Sequence, residues 1–216
     1  MNGLVIHAEG NQVRADNIKT QFMSQSIPEV FLLEVVPAIM NPGQPSVGIM
    51  RSFKKCIQLA KNNDWPAVCI FEDDVRFLCK YSLKLFISIW SEFYTRCALY
   101  SEYETLFLGG LYEGELKEAP SFNNVKQTEG KVSGFHSIIV PKALYDKLLS
   151  AEEPYNFDHW CSVEAKIPIY VAYPFLIMQQ DGFSYNAHKK DGSGFGADIN
   201  YTEGLRHKYK FIDDLK

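Results

Sequence analysis

The chain has 216 residues, of which 46% are hydrophobic and 22% are charged. This balance is that of an ordinary globular protein, and it excludes a mainly disordered chain or a collagen-like repeat. The 22 lysines and arginines against 26 acidic residues give a net charge of −4. Since no general excess of positive charge is available to bind phosphates, we expect no nucleic-acid partner. The length fits a single domain over residues 1–216, with 181–216 as a polar C-terminal segment.

The apolar runs and the cysteines indicate where in the cell the protein is expected. No apolar run approaches the roughly 18 residues of a transmembrane helix, and the N-terminus lacks the basic and then apolar order of a signal peptide. The five cysteines have no zinc-type spacing and are interpreted as free thiols in a reducing compartment. We therefore expect no transmembrane segment and a cytoplasmic protein, with peripheral association at the inner face of a membrane as a further possibility.

The first 110 residues alternate between apolar runs and helical spacing. Strands are predicted at 3–8, 30–36, 67–71 and 105–108, and helices at 11–24, 47–61 and 83–99. This alternation predicts an α/β fold with a mainly parallel sheet. Ligands of such sheets bind beyond the carboxyl ends of the strands.

The second half of the chain has weaker patterns. Residues 112–130 are polar and contain glycine, which predicts a long loop. Two further strands are predicted at 131–140 and 167–172, with a helix at 143–151 between them. From residue 181 onward the chain is rich in Gly, Asn and Lys, so we expect it to wrap over the surface.

Three consecutive carboxylates, Glu72, Asp73 and Asp74, follow the predicted strand 67–71 directly. In an extended segment Glu72 and Asp74 project to one side and Asp73 to the other. Carboxylates this close repel each other unless a cation neutralises them, and an oxygen-rich site suits Mg²⁺ or Mn²⁺. The alternative is a solvated acidic turn that ends the strand and caps the next helix.

The triplet is one of several motifs that resemble glycosyltransferase family 25, the lipopolysaccharide-biosynthesis and collagen-type sugar transferases. That family carries a glycine and then Ser-His on a helix, before a strand that ends in Glu-Asp-Asp. Here Gly48 and Ser52 match, while Phe53 stands where the family usually has histidine. Further matches follow in the family's order, and the resemblance spans roughly residues 3–186; they include Asp158, Gln179, Gln180 and Ser184.

The resemblance implies a single-domain GT-A fold, in which helices flank a Rossmann-like, mixed, mostly parallel sheet. It implies a metal-dependent hexosyltransferase that moves a sugar from a nucleotide-sugar donor, a UDP-sugar in the first instance, to a glycan or lipid-linked saccharide acceptor with inversion. The cofactor would be Mn²⁺ or Mg²⁺, with Asp74 as a metal ligand. Asp158 would be the base that takes the proton of the acceptor hydroxyl; its alternative role is a helix N-cap.

The resemblance also supplies candidate contacts to the donor. Glu72 and Asp73, together with His7 and Arg14 after the first strand, would contact the nucleotide. His188 is the candidate second metal ligand, because GT-A sites often add a late histidine. Lys189 and Lys190 could meet the negative charge of a diphosphate. For these last three residues the alternative is a solvated tail.

Two rival functions use the same residues. A metal-dependent phosphoesterase or nuclease could employ the carboxylates, although the net charge of −4 counts against a nuclease. A transferase-like module could also bind a sugar nucleotide or a glycan without turnover. This second alternative stays open because the chain departs from the family at two places. Phe53 replaces the usual histidine, and Ser184 is followed by Tyr185-Asn186 where the family has Asp-Ile.

Overall fold

The computed structural model describes residues 1–26, 31–99, 105–110, 113–119, 124–153, 156–188, 195–200 and 208–212. The strands in these ranges are β1 (Asn2–His7), β2 (Leu32–Pro37), β3 (Ala67–Glu72), β4 (Val75–Phe77), β5 (Leu106–Leu108), β6 (Glu113–Glu118), β7 (Val125–Ser133), β8 (Ser137–Pro141), β9 (Ile169–Ala172), β10 (Ile177–Gln179), β11 (Gly182–His188) and β12 (Phe195–Ile199). The helices are α1 (Gln12–Met23), α2 (Pro45–Asn62), α3 (Ser82–Leu99), α4 (Tyr145–Leu149) and α5 (Phe157–His159).

Eight strands form one sheet in the order β2-β1-β3-β8-β5-β9-β7-β6. Strand β1 is parallel to β2 and β3, and β9 is parallel to β5, whereas β8 and β7 are antiparallel to their neighbours. Six of the eight strands therefore run in the same direction. This confirms the predicted α/β fold with a mixed, mostly parallel sheet.

Helices cover both faces of the sheet, as the apolar runs of its central strands require. Because side chains alternate along a strand, Leu4 and Val68 pack with residues of α2, while Val5 and Cys69 pack with residues of α1 and α3. On α2 the buried side chains recur at helical spacing, at Met50, Phe53, Ile57 and Ala60 among others. A strand that is buried on both faces needs apolar residues throughout, which explains why β1 and β3 were visible in the sequence.

The prediction of a long loop at 112–130 is wrong. Strands β6 and β7 lie there as an antiparallel hairpin, and β6 is the edge strand of the sheet. Glutamate and lysine side chains recur along β6, and those of Glu115 and Lys117 are exposed. Charged side chains on an edge strand keep it from pairing with other chains, and they also remove the apolar run that predicts a strand.

The C-terminal segment also differs from its prediction. Strands β11 and β12 form a separate two-stranded sheet, and Phe211 is fully buried. The backbone around Phe211 bonds to that of Phe175, and their rings lie 5.6 Å apart. The segment thus contributes to the core at this point instead of only wrapping over the surface. Within the described residues, no helix has the length and apolar character needed to cross a membrane.

Candidate active site

A cavity of about 400 Å³ opens at the carboxyl ends of three neighbouring parallel strands, β1, β2 and β3. Its charged lining side chains are Arg14, Glu72, Asp73, Asp74 and Asp158. Its apolar lining includes Ala38, Ile39, Met40, Pro42, Pro45, Ile49, Phe53, Phe135 and Phe157. This position is where ligands of open α/β sheets bind, and the acidic triplet lies in it as the sequence predicted.

Asp73 ties the end of β3 to the end of β1. Its Oδ2 accepts a hydrogen bond from the Ala8 backbone N–H at 2.9 Å and lies 3.0 Å from His7 Nδ1. Its Oδ1 lies 2.6 Å from Nη1 of Arg14 on α1. The carboxylate is buried and both of its oxygens have partners. The structure therefore brings His7, Arg14 and Asp73 together; their contact with a nucleotide stays a prediction.

Asp74 has one satisfied oxygen and one free oxygen. Its Oδ2 lies 2.7 Å from Arg14 Nη1 and accepts a hydrogen bond from Gln179 Nε2 at 2.8 Å. Its Oδ1 is buried and has no hydrogen-bond partner among the described residues. A buried polar atom without a protein partner is costly, and proteins commonly satisfy such an atom with a bound ion or an ordered water.

The electrostatics of the cavity are negative. Among the described lining residues, acidic side chains outnumber basic ones four to one. Burial raises the pKa of the half-buried Glu72 carboxyl well above its ordinary value, and the charge of Asp74 raises it further. Burial alone would lower the pKa of the Arg14 guanidinium, but Asp74 and Asp73 outweigh this effect and raise it. Arg14 therefore stays charged and offsets only part of the negative charge.

The cavity offers few protein ligands for the predicted Mn²⁺ or Mg²⁺. No group of three or more His, Cys, Asp or Glu side chains is placed to hold a metal in the part of the chain that the structure describes. Proteins usually bind Mg²⁺ at nucleotide sites through only one or two carboxylates, with phosphates and waters completing the shell. The free Asp74 Oδ1 fits such a single ligand.

The other predicted donor contacts lie on or after β11. Ser184 of this strand is buried and lines the cavity, so β11 passes beside the site. His188 ends the strand, but its side chain is outside the described residues, and so are Lys189 and Lys190. The roles of these three residues are therefore untested.

Asp158 lies in the same cavity, on the short helix α5. Its Oδ2 accepts a hydrogen bond from the Gly134 backbone N–H at 3.1 Å, and its Oδ1 accepts one from the His159 N–H at 2.7 Å. Gly134 adopts φ 102°, a conformation that favours glycine. Asn156 precedes the first helical residue, so Asp158 lies inside the helix and is not its N-cap.

The Asp158 carboxyl is suited to accept a proton. Burial raises its pKa, while the hydrogen bonds from Gly134 and His159 oppose that change. A carboxylate has about four acceptor positions, so two bonds leave room for a substrate hydroxyl. Trp160, two residues further on, packs against the hydrophobic core.

Gly48 and Ser52 have a structural role at the wall of the cavity. Ser52 Oγ accepts a hydrogen bond from the Ile39 N–H and donates one to the Gly48 carbonyl, both at 2.8 Å. A Cβ at Gly48 would lie 2.5 Å from the Ile39 carbonyl oxygen. The two residues thus hold the loop after β2 against α2, and this loop forms part of the apolar wall of the cavity.

Two side chains that support the site had no role predicted from the sequence. Gln179 orients Asp74, and the next residue, Gln180, donates its backbone N–H to the Asp74 carbonyl at 2.6 Å. Asn17 on α1 donates to the backbone carbonyls of Asp73 and Val75. A polar residue on the buried face of α1 was a usable signal for Asn17. Gln179 was among the matches to glycosyltransferase family 25, but its contact with Asp74 could be recognised only once its strand was placed.

Comparisons with known proteins find similarity to solved structures only. No protein-family profile and no curated protein matches the chain. A glycosyltransferase involved in the glycosylation of the major capsid of PBCV-1 matches with a TM-score of 0.48 and 11% identity over 95% of this chain and 97% of that chain. A197 from STIV matches with 0.45 and 7% over 88% and 98%, and an apo UDP-glucose pyrophosphorylase with 0.45 and 9% over 83% and 73%. These similarities are too low to assign a family or a function, so the resemblance to glycosyltransferase family 25 stays a prediction.

Proposed function

We propose that the chain is a metal-dependent glycosyltransferase that moves a hexose from a nucleotide-sugar donor to a glycan or lipid-linked saccharide, with inversion. The observation that carries the proposal is that Asp74, with its free buried oxygen, and Asp158 line one cavity at the strand ends. A UDP-sugar is the donor we test first. The matching location is the cytoplasm, where the protein would meet a lipid-linked acceptor at the inner face of a membrane.

Charge balance supports a metal on the donor side. A diphosphate would be repelled by the buried carboxylates of Asp73 and Asp74, which share the single guanidinium of Arg14. Manganese or magnesium held at Asp74 Oδ1 would offset that repulsion and supply Lewis-acid stabilisation of the leaving diphosphate. Arg14 and Gln179 orient Asp74 by binding Oδ2, which leaves Oδ1 open.

The remaining donor contacts follow from position. His7 and Glu72 lie at the ends of β1 and β3, beside the same cavity, and would contact the nucleotide. His188, Lys189 and Lys190 follow Ser184 along the chain and would approach the diphosphate and its metal.

Asp158 supplies the base that an inverting transfer needs. The acceptor hydroxyl gives its proton to the carboxylate while its oxygen attacks the anomeric carbon of the donor. The bond between that carbon and the diphosphate oxygen breaks, and its electron pair leaves with the diphosphate. Hydrogen bonds from Gly134 and His159 hold the carboxylate in place during the step.

A thermal-shift screen with UDP, GDP and CMP, with and without Mn²⁺, tests the proposal. A ligand that binds only the folded chain stabilises it by about 2.7 kcal/mol at a concentration of roughly 100 Kd. We expect UDP to raise Tm only when Mn²⁺ is present, and Asp74→Asn to abolish that increase. Asp146→Asn is the matched control, because Asp146 is an exposed carboxylate paired with Lys61 on the surface.

Two results would contradict the proposal. One is a shift by UDP that is equally large without metal in the unsubstituted protein. The other is full metal-dependent stabilisation in Asp74→Asn, which would remove Asp74 as a ligand.

A further inference from the structure

Three phenylalanine rings pack in series beside Asp158. Phe53 of α2 is stacked on Phe157, with ring centroids 5.2 Å apart and planes at 21°. Phe157 in turn meets the edge of Phe135 at 6.1 Å and 89°. All three rings are buried at 5% exposure or less, and all three line the cavity.

This aromatic series joins the two partners of one hydrogen bond. Phe157 directly precedes Asp158, and Phe135 directly follows Gly134, whose N–H donates to Asp158 Oδ2. The rings therefore hold the connection between β7 and β8, which carries Gly134, at a fixed distance from helix α5, which carries Asp158. Phe53, which belongs to the long helix α2, connects both to a rigid element of the fold.

The local backbone alone does little to fix Asp158. Helix α5 spans three residues and continues into a π-helical turn, Trp160–Glu164. A helix of this length has too few internal hydrogen bonds to be stable by itself. The segment is held to the rest of the protein by side-chain contacts, among them the stacking of Phe157 on Phe53, the buried Cys161 and the hydrogen bond from the Val132 N–H to Ser162 Oγ; of these, the Phe157 contact is the one next to Asp158.

We propose that Phe53 is a positioning residue for Asp158. Its ring holds Phe157 so that the Asp158 carboxylate stays on the Gly134 amide and faces the cavity. The catalytic consequence rests on the proposed function, because it assumes that Asp158 is the base. The positional part does not, and it can be measured without turnover.

Amide hydrogen exchange in Phe53→Leu tests the position of Asp158 directly. We expect exchange at Gly134 and His159, the two donors to Asp158, to accelerate by ~10-fold or more as the local structure opens. Phe86→Leu is the matched control: Phe86 is a fully buried ring on α3, tilted against Phe107 at 5.6 Å, on the other face of the sheet. If Phe53→Leu does not fold, Phe53→Met gives the same test, because the flexible, unbranched methionine side chain can fill the space without supplying a flat ring. Equal acceleration at Gly134 and His159 in the Phe53 and Phe86 variants would overturn the proposal.

Transfer kinetics then separate positioning from the proposed chemistry. In Phe53→Leu we expect kcat to fall by ~10–100-fold, the usual effect of a small misplacement, with KM for the donor within about threefold. In Phe86→Leu we expect kcat to stay near that of the unsubstituted protein. Lost transfer without faster exchange at Gly134 would overturn the positioning role. Faster exchange with unchanged transfer would support the positioning role and count against Asp158 as the base.

Discussion

Replacing Arg14 with methionine tests whether this one guanidinium neutralises the acidic pair. Arg14 lies 2.6 Å from Asp73 and 2.7 Å from Asp74, and both carboxylates are less than 10% exposed. Removing one partner of a buried ion pair typically costs about 3–5 kcal/mol. Because the Ala8 amide and Gln179 still donate to these carboxylates, we expect the lower end of that range, a loss of about 3 kcal/mol in the free energy of unfolding.

Urea unfolding measures this loss. With an m-value of about 2 kcal/mol/M, the midpoint should fall by roughly 1.5 M in Arg14→Met. Arg14→Lys keeps the charge and should recover part of the midpoint. Arg51→Met is the control, because Arg51 forms an exposed pair with Glu153 at 2.7 Å and exposed pairs contribute little. Equal midpoints in Arg14→Met and Arg51→Met would refute the reasoning.

Three further predictions address the base, the loop after β2 and the thiols. Asp158→Asn should slow transfer by ~10²–10⁴-fold and should leave the UDP-induced thermal shift unchanged. Activity within a few-fold of the unsubstituted protein would mean that Asp158 only accepts the structural hydrogen bonds from Gly134 and His159 and is not the base. Gly48→Ala places a Cβ 2.5 Å from the Ile39 carbonyl oxygen and should cost ~1–3 kcal/mol by overpacking, so an unchanged urea midpoint would show that the loop yields freely. Burial raises the pKa of the Cys56 thiol to about 12, so iodoacetamide at neutral pH should label the half-buried Cys79 before Cys56; peptide mapping that finds label on Cys56 as early as on Cys79 would contradict this.

The central strands could be predicted from the sequence because of where they lie. Strands β1 and β3 are covered by helices on both faces, so their residues form continuous apolar runs. Strand β6 lies at the edge and carries glutamate and lysine, so its pattern is that of a loop. Phe211 reaches the core through a contact with Phe175, and no local pattern reports such a contact.

In the candidate site, too, the residues next to buried central strands could be predicted, whereas the long-range contacts could not. Glu72, Asp73 and Asp74 could be placed because residues that follow a buried parallel strand lie at the binding edge of the sheet. His7 follows β1 and shares that edge, which brings it to Asp73. Gln179 ends the short strand β10, and Asp74 directly precedes the short strand β4; the two strands pair with each other outside the main sheet, which brings Gln179 to Asp74. A three-residue strand has no detectable period, so neither the pair nor the contact could be predicted.

The contact between Gln179 and Asp74 spans 105 positions of the chain. At a synthesis rate of ~5–20 residues per second, the ribosome needs about 5–20 s to go from one residue to the other. During that interval β1, β2 and β3 can already pair, while Asp74 still lacks the amide that orients it. The acidic centre is therefore completed by the late part of the chain, and a nascent chain that stops before β10 would contain all three carboxylates of the triplet without an assembled site.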